Sequence, residues 1–295
     1  MTRLAVLSDI HGNLPALEAV IADMTQYSPD HVIVAGDLIN IGPFSAQVMA
    51  RVTELGWTAI RGNHEFYLLE YNTPREPESR RGWVTTPLLY AQLKDQWYNR
   101  IAAMPDELTL YYPDAPPVRV MHGLPGNPWN ALGRLSTDEE VRDQMKGVEE
   151  TTVISAHYHL WFEKHVDHWH LLNPGSLGAP LDGLQDASYV ILDGSSDGWQ
   201  ATFRRVPVDY TPLFAEFERQ RIVEQCGTIG YLIVQQFKWA RTVIASFDRW
   251  QREHYPGVPA TIPMVDEFLS GDHLWEYTND HYRYNQHLLN GGESG

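Results

Sequence analysis

Side chains that bind metal ions recur at regular places in this chain. Asp9 and His11 stand in "SDIHGN", Asp37 in "GDLINIGP", Asn63 and His64 in "RGNHE", His122 in "VRVMHG", and His157 and His159 in "SAHYH". Each set closes a short apolar run that reads as a strand. One such residue at a strand end is most often a turn residue or a helix cap. Five strands in series that all end this way do not arise by independent coincidence, and in open α/β sheets sites assemble where loops converge at strand ends. The donors are carboxylate, amide oxygen and imidazole, without thiolate. That set favours Mn²⁺, Fe or Zn²⁺ over a Cys-rich structural zinc site and disfavours an all-oxygen Ca²⁺ cage. It is too large for one ion and suits two that share a bridging carboxylate, roughly 3.5–4 Å apart.

The elements that must hold these residues follow from periodicity. "LAVLSDIHGN", "HVIVAGD" and "WTAIRGNHE" read as strands. Between them lie helices, "LPALEAVIADM" with Leu14, Leu17, Val20, Ile21 and Met24 on one face, and "SAQVMARVTELG" ended by Gly56. This alternation argues an α/β core. Residues 72–82 are charged and proline-bearing and read as an exposed loop. Pro87 to Met104 reads as one helix through Leu89, Leu93, Trp97 and Ile101. Later strands are "VRVMHG", "TTVISAH", "HWHLLNPGS", "ASYVILD" and "QATFRRVPV", and Thr137 with Glu140 forms a capping box before the second of these. From about Val208 the strand signal stops. Ile233, Phe237, Ala240, Ile244 and Phe247 make one helical seam. The final "GGESG" reads as disordered. The chain thus divides into residues 1–208, which carry every strand end, and a helical C-terminal extension at 209–295.

Composition narrows the partners. A formal net charge of −16 argues against a nucleic-acid backbone or an anionic membrane surface as partner. One cysteine, Cys226, excludes an intramolecular disulfide framework and fits a cytoplasmic location. There is no signal h-region at the N-terminus and no apolar run long enough to span a bilayer. The apolar seam in the extension must be covered, either by its own chain or by a second copy in a homo-oligomer; burial in its own chain is favoured.

"SDIHGN", "GDLINIGP", "RGNHE", "MHG" and "SAHYH", in that order, resemble the five blocks of the calcineurin-like metallophosphoesterases, and "NPGSLGAPLDG" resembles the small prokaryotic phosphodiesterase branch. The resemblance covers roughly residues 4 to 195. It implies an α/β fold with two mixed β-sheets in a sandwich flanked by helices. It implies that Asp9, His11 and His159 bind one metal, that Asn63, His122 and His157 bind the other, and that Asp37 bridges both. His64 then acts near the leaving group, and Arg61 helps hold the phosphate. The cofactors implied are two divalent ions, Mn or Fe first and Ni or Zn next, with a small phosphoester as substrate. His165, His168 and His170 match no block and read as surface or strand-pairing residues.

Three positions depart from the pattern. Ala156 and Tyr158 replace a glycine and a threonine. Asn40 stands where many relatives have an Asp that pairs with the catalytic histidine, so it either orients the His64 ring or shapes the Gly42–Pro43 turn. His157 and His159, two apart in a segment read as extended, are expected to point the same way, one toward each metal. The resulting expectation is a dinuclear hydrolase in which a metal-bridging hydroxide attacks phosphorus. Phosphodiesters are favoured over monoesters because Ile41 occupies the place of an arginine that monoesterase relatives carry. The alternatives are a phosphomonoesterase or protein-phosphatase-like enzyme, a nuclease of the same superfamily, and a metal-binding scaffold without activity.

Overall fold

The computed structural model describes residues 1–78, 81 and 83–283. Two five-stranded mixed sheets face each other, with helices on their outer faces. The first sheet has the order β10 (Gly198–Val206), β9 (Ala187–Ser195), β1 (Arg3–Leu7), β2 (His31–Val34), β3 (Thr58–Ala59). The second has the order β4 (Glu107–Tyr112), β5 (Ala115–Met121), β6 (Thr152–Ser155), β8 (Trp169–Asn173), β7 (Phe162–Val166).

The strand period of two decides which side chains face which layer. In β1, Leu4 and Val6 join Ile33, Val118, Val120, Ile154 and Val190 between the sheets. Ala5 and Leu7 face outward onto α1 (Leu14–Met24) and α2 (Ser45–Glu54). On the outside of the second sheet, Val153 and Leu171 pack against Val141 and Met145 of and beside α6 (Asp138–Gln144). β1, β2 and β3 run parallel, as do β5 and β6. Parallel neighbours end at the same sheet edge, so Asp9, Asp37 and Asn63 leave one sheet where His122 and His157 leave the other.

The sequence places most of these elements, with four differences. "WTAIRGNHE" is a strand only at Thr58–Ala59, and Asn63 opens helix α3 (Asn63–Glu70). The cause is Glu65, whose carboxylate reaches back to the N–H of Gly62 at 2.6 Å and caps the first turn. Residues 87–104 form two helices, α4 (Thr85–Leu93) and α5 (Tyr98–Ala102), with turns between. Strands β4 and β7 have no counterpart in the sequence reading; β4 is half-buried along most of its length and so lacks a clean apolar pattern. Thr137 and Glu140 form the expected capping box.

After β10 the described chain is helical: α7 (Thr211–Arg219), α8 (Ile222–Cys226), α9 (Thr228–Trp239), α10 (Val243–His254), α11 (Ile262–Ser270) and α12 (His273–Glu276). The seam expected on one helix is divided between two. Ala240 turns left-handed at φ 48°, and the loop before β9 takes up the end of α9. There Gly183 N–H donates to Ala240 O at 2.8 Å and the Gln185 side chain donates to Phe237 O at 2.9 Å. Ile233 and Phe237 pack with Ala179, Tyr210, Leu213 and Phe217, while Phe247 packs with Trp250, Val265 and Phe268. Among the described residues the seam is covered by its own chain. "GGESG" lies outside the described residues, and no described helix is long and apolar enough to cross a membrane.

Candidate metal centre

The strand-end loops bring the titratable residues into two touching groups. Asp9, His11, Asp37 and His159 offer ligand atoms that lie within 4.8 Å of one another, and so do Asp37, His122 and His157. Asp37 belongs to both. Its Oδ2 lies 3.6 Å from His11 Nε2 and 3.2 Å from His122 Nε2. Asn63 Oδ1 joins the second group, 3.0 Å from His122 Nε2 and 2.9 Å from His157 Nδ1. His159 Nε2 lies 3.2 Å from both His11 Nε2 and Asp9 Oδ1.

The backbone that achieves this is unusual. Asp9, His11, Asp37, His157 and His159 all have φ between 48° and 64°, in the left-handed region. Such conformations cost of order 1–3 kcal/mol each and persist where surroundings over-determine them. The segment around His157 and His159 is therefore not extended, as its sequence suggests. Each histidine turns the chain, and the two rings reach different groups by backbone direction rather than by strand alternation. Tyr158, between them, is buried outside against Phe162 and Tyr282.

Surrounding bonds fix the loops. Ser176 Oγ donates to Asp9 O at 2.9 Å, and the Gly178 N–H donates to the same carbonyl at 3.0 Å, so "NPGSLG" clamps the first block. Glu65 accepts from the backbone N–H groups of Asp37, Leu38 and Gly62 at 3.0, 2.9 and 2.6 Å. The sequence reading missed this positioning role. Its signal is a carboxylate three residues into a helix start. Gly62 and Gly36 have no room for a side chain: a Cβ on Gly62 would sit 2.2 Å from Asp37 Oδ1, and one on Gly36 2.6 Å from His122 Nδ1.

The donor set fits divalent cations. Both carboxylate oxygens of Asp9 and Oδ2 of Asp37 are buried without a hydrogen-bond partner among the described residues. Buried charge without a partner is costly, and a cation removes that cost. His122 Nδ1 lies 2.8 Å from Ala35 O and His159 Nδ1 2.6 Å from Ala179 O. Donation to these carbonyls leaves each Nε2 lone pair aimed at the carboxylates, the arrangement that orients imidazole for a metal. The field shows the same demand for positive charge. Burial opposes a charged His122, but the Asp37 carboxylate outweighs it and lifts that ring to about 10. Burial raises Asp9 and the His159 charge lowers it, and the balance falls at about 2. Burial takes His157 down to about 4 and holds His11 well below the usual range, with the neighbouring histidines adding to the effect.

His64 lies at the edge of this group. Its N–H donates to Asp37 Oδ1 at 2.8 Å, and its ring centroid is 4.5 Å from that of His11. Its Nδ1 is buried without a partner among the described residues, so Asn40 does not orient the ring. Asn40 instead shapes the turn: φ is 73°, and its Oδ1 accepts from Ile41 N–H at 2.8 Å. Arg61 is held elsewhere. Its guanidinium bonds Asp106 at 2.7 Å and Ala102 O at 2.9 Å and lies over the Phe66 ring. Ile41 packs toward Phe217 and Ile233 of the helical extension, and with Asn40 and Pro43 it lines a cavity of about 510 Å³ there.

His165 and His170 face each other across β7 and β8 with rings stacked at 4.3 Å, and His168 lies on Trp169. With Glu163 the first two form a third cluster of potential ligands, on the face of β7 and β8 opposite Val166 and Leu171.

The sequence model of the calcineurin-like phosphoesterase superfamily domain matches residues 2–197, and the chain belongs to that superfamily. It is a metal-dependent phosphoesterase, a hydrolase of ester bonds. Over 242 residues the chain is 24% identical to the uncharacterized protein MJ0912 of Methanocaldococcus jannaschii, covering 77% of this chain and 96% of that protein. A shorter stretch of 73 residues is 36% identical to phosphodiesterase YfcE of Escherichia coli, 21% of this chain and 40% of that one. The crystal structure of a metallophosphoesterase from Sphaerobacter thermophilus matches with a TM-score of 0.64 at 21% identity, over 81% of this chain and all of that one.

Proposed function

We propose that the chain is a phosphodiesterase with two divalent ions, Mn or Fe, acting on a small phosphodiester. Asp9, His11 and His159 hold one ion, Asn63, His122 and His157 the other, and Asp37 both. The observation that carries this reading is the shared carboxylate: Asp37 Oδ2 lies within 3.6 Å of an imidazole nitrogen in each group. Such ions supply positive charge to the phosphoryl oxygens and lower the pKa of water.

The chain's own groups do the rest. Ala35 O, Ala179 O and Glu65 fix the ligands so that little reorganisation accompanies reaction. His64 stands beside Asp37 at the cleft edge, placed to donate to the leaving oxygen. Burial draws it below its usual value, so near neutrality it serves chiefly as a neutral hydrogen-bond donor. Its contribution is then largest for poor leaving groups.

Two points favour diesters. A monoester dianion gains from extra guanidinium forks, and Arg61, beside the third block, is already engaged by Asp106. The YfcE relative is named a phosphodiesterase. We assign the catalytic domain to residues 1–208 and the helices after it to a supporting extension. The test is kcat/KM for bis(4-nitrophenyl) phosphate against 4-nitrophenyl phosphate on Mn²⁺-loaded protein. A clear preference for the monoester overturns the diester assignment. Failure to cleave either ester after reconstitution with Mn²⁺ or Fe²⁺ overturns the dinuclear one.

A further inference from the structure

Beside His64 the surface is built of aromatic rings from three separate segments. Tyr67 is one turn beyond His64 on the same face of α3, and the two ring centroids are 5.0 Å apart. Trp83, from the segment before α4, stacks on Tyr67 at 5.4 Å with 20° between planes. Trp129, from the loop that follows His122, meets Tyr67 edge-on at 5.4 Å, and Phe66 lies 6.4 Å from Trp129. Exposure rises along this row: the His64 side chain is 18% exposed, Tyr67 and Trp129 are half-buried, and Trp83 is 48% exposed. The rings thus run from the candidate metal centre out to solvent. A cluster of exposed rings continuous with a polar site is the arrangement that marks ligand-binding grooves.

We propose that Tyr67, Trp83 and Trp129 form a subsite that binds a planar aromatic group on the leaving-alcohol side of the phosphodiester. This rests on the placement of His64 at the leaving group. Flat rings gain from offset or edge contacts with aromatic walls beyond what their area gives, and a puckered ring of equal carbon count does not. The three rings are themselves uncharged, so they select on what the phosphate carries rather than on the phosphoryl group. The subsite distinguishes substrates by the leaving group, whereas the metal ligands treat all phosphodiesters alike.

The probe is a pair of non-hydrolysable phosphinates, methyl(3-phenylpropyl)phosphinate and methyl(3-cyclohexylpropyl)phosphinate, in which a methylene replaces each ester oxygen, bound to full-length Mn²⁺-loaded protein and read by calorimetry. The cyclohexyl compound is the more hydrophobic, so simple burial favours it. The expected result is about two- to tenfold tighter binding of the phenyl compound. Trp83→Leu and Tyr67→Leu should each bring the ratio to about one, while Tyr67→Phe should keep it. Melting curves of the three variants show that each is folded. A ratio near one in the natural protein, or a preference that survives in both leucine variants, overturns the proposal. Because the readout is binding, it stands or falls apart from the diester-against-monoester assay above.

Discussion

The loops at the sheet edge and the C-terminal helices are stabilised in opposite ways. The loops hold buried polar groups, several in left-handed backbone, around carboxylate oxygens that have no hydrogen-bond partner among the described residues. The helices hold Phe247, Val265 and Phe268, which are buried hydrocarbon with ordinary φ. One region stores backbone strain and buried carboxylate charge, a setting that suits cations. The other contributes apolar burial and, among the described residues, holds no cluster of the strand-end kind. Mutations should therefore separate: damage to the loops should remove activity more than stability, and damage to the helices the reverse.

The largest effect is expected from Asp37→Asn. Activity should fall to background, with loss of metal by elemental analysis, while circular dichroism stays near that of the natural protein. Full metal content together with full activity would break the shared-ligand assignment. His64→Ala should keep both metals and lose roughly 10²–10⁴ in kcat, with the smaller loss for the better leaving group. A uniform loss across leaving groups removes His64 from proton delivery. In the helices, Phe247→Ala should cost about 3–5 kcal/mol in urea unfolding, with little change in kcat at temperatures where the variant is folded.

Smaller effects sharpen the contrast. Asp23, outside both regions, is raised by burial but lowered more by Arg204 and Tyr189, for a net value below 3.8. A depressed folded value means that its stabilisation is present above pH 3.8 and is lost as the pH falls through the folded value. Asp23→Asn should thus cost about 1–2 kcal/mol at neutral pH, with the gap closing in acid; a gap that widens there contradicts the assignment. The smallest effect belongs to His165→Ala, on the exposed hairpin. It should leave metal content at the strand-end groups unchanged and stability within about 0.5 kcal/mol. Loss of activity in that variant breaks the separation of the third cluster from the centre.

What the sequence made legible follows the same contrast. Donor residues at successive strand ends are chemically specific, so Asp9, Asp37, Asn63, His122 and His159 could be grouped as candidates without coordinates, and the structure brings them together. Their backbone could not, because a histidine with φ of 64° has no sequence signature of its own. Arg61 shows the limit: its block identifies its neighbours, but its side chain is decided by Asp106 and Ala102 O, distant in sequence. In the helices, period gave the apolar seam correctly and missed the break at Ala240, because the groups that cap α9 belong to Gly183 and Gln185. Local pattern reports which face is apolar. It does not report which distant loop takes up a helix end.

The position of β1 carries a consequence for biosynthesis. Strand β1 is made well before β9 and is central in its sheet, with β2 on one side and β9 on the other, and Asp9 O is held by Ser176 and Gly178. A nascent chain therefore carries Asp9 and His11 out of the ribosome long before the strand that completes their sheet exists. Until residue 195 has emerged, β1 has an open edge and the two metal groups have no fixed geometry. On the proposed assignment ion loading follows the emergence of β9, and a chain stalled before β9 exposes an apolar strand edge to its neighbours.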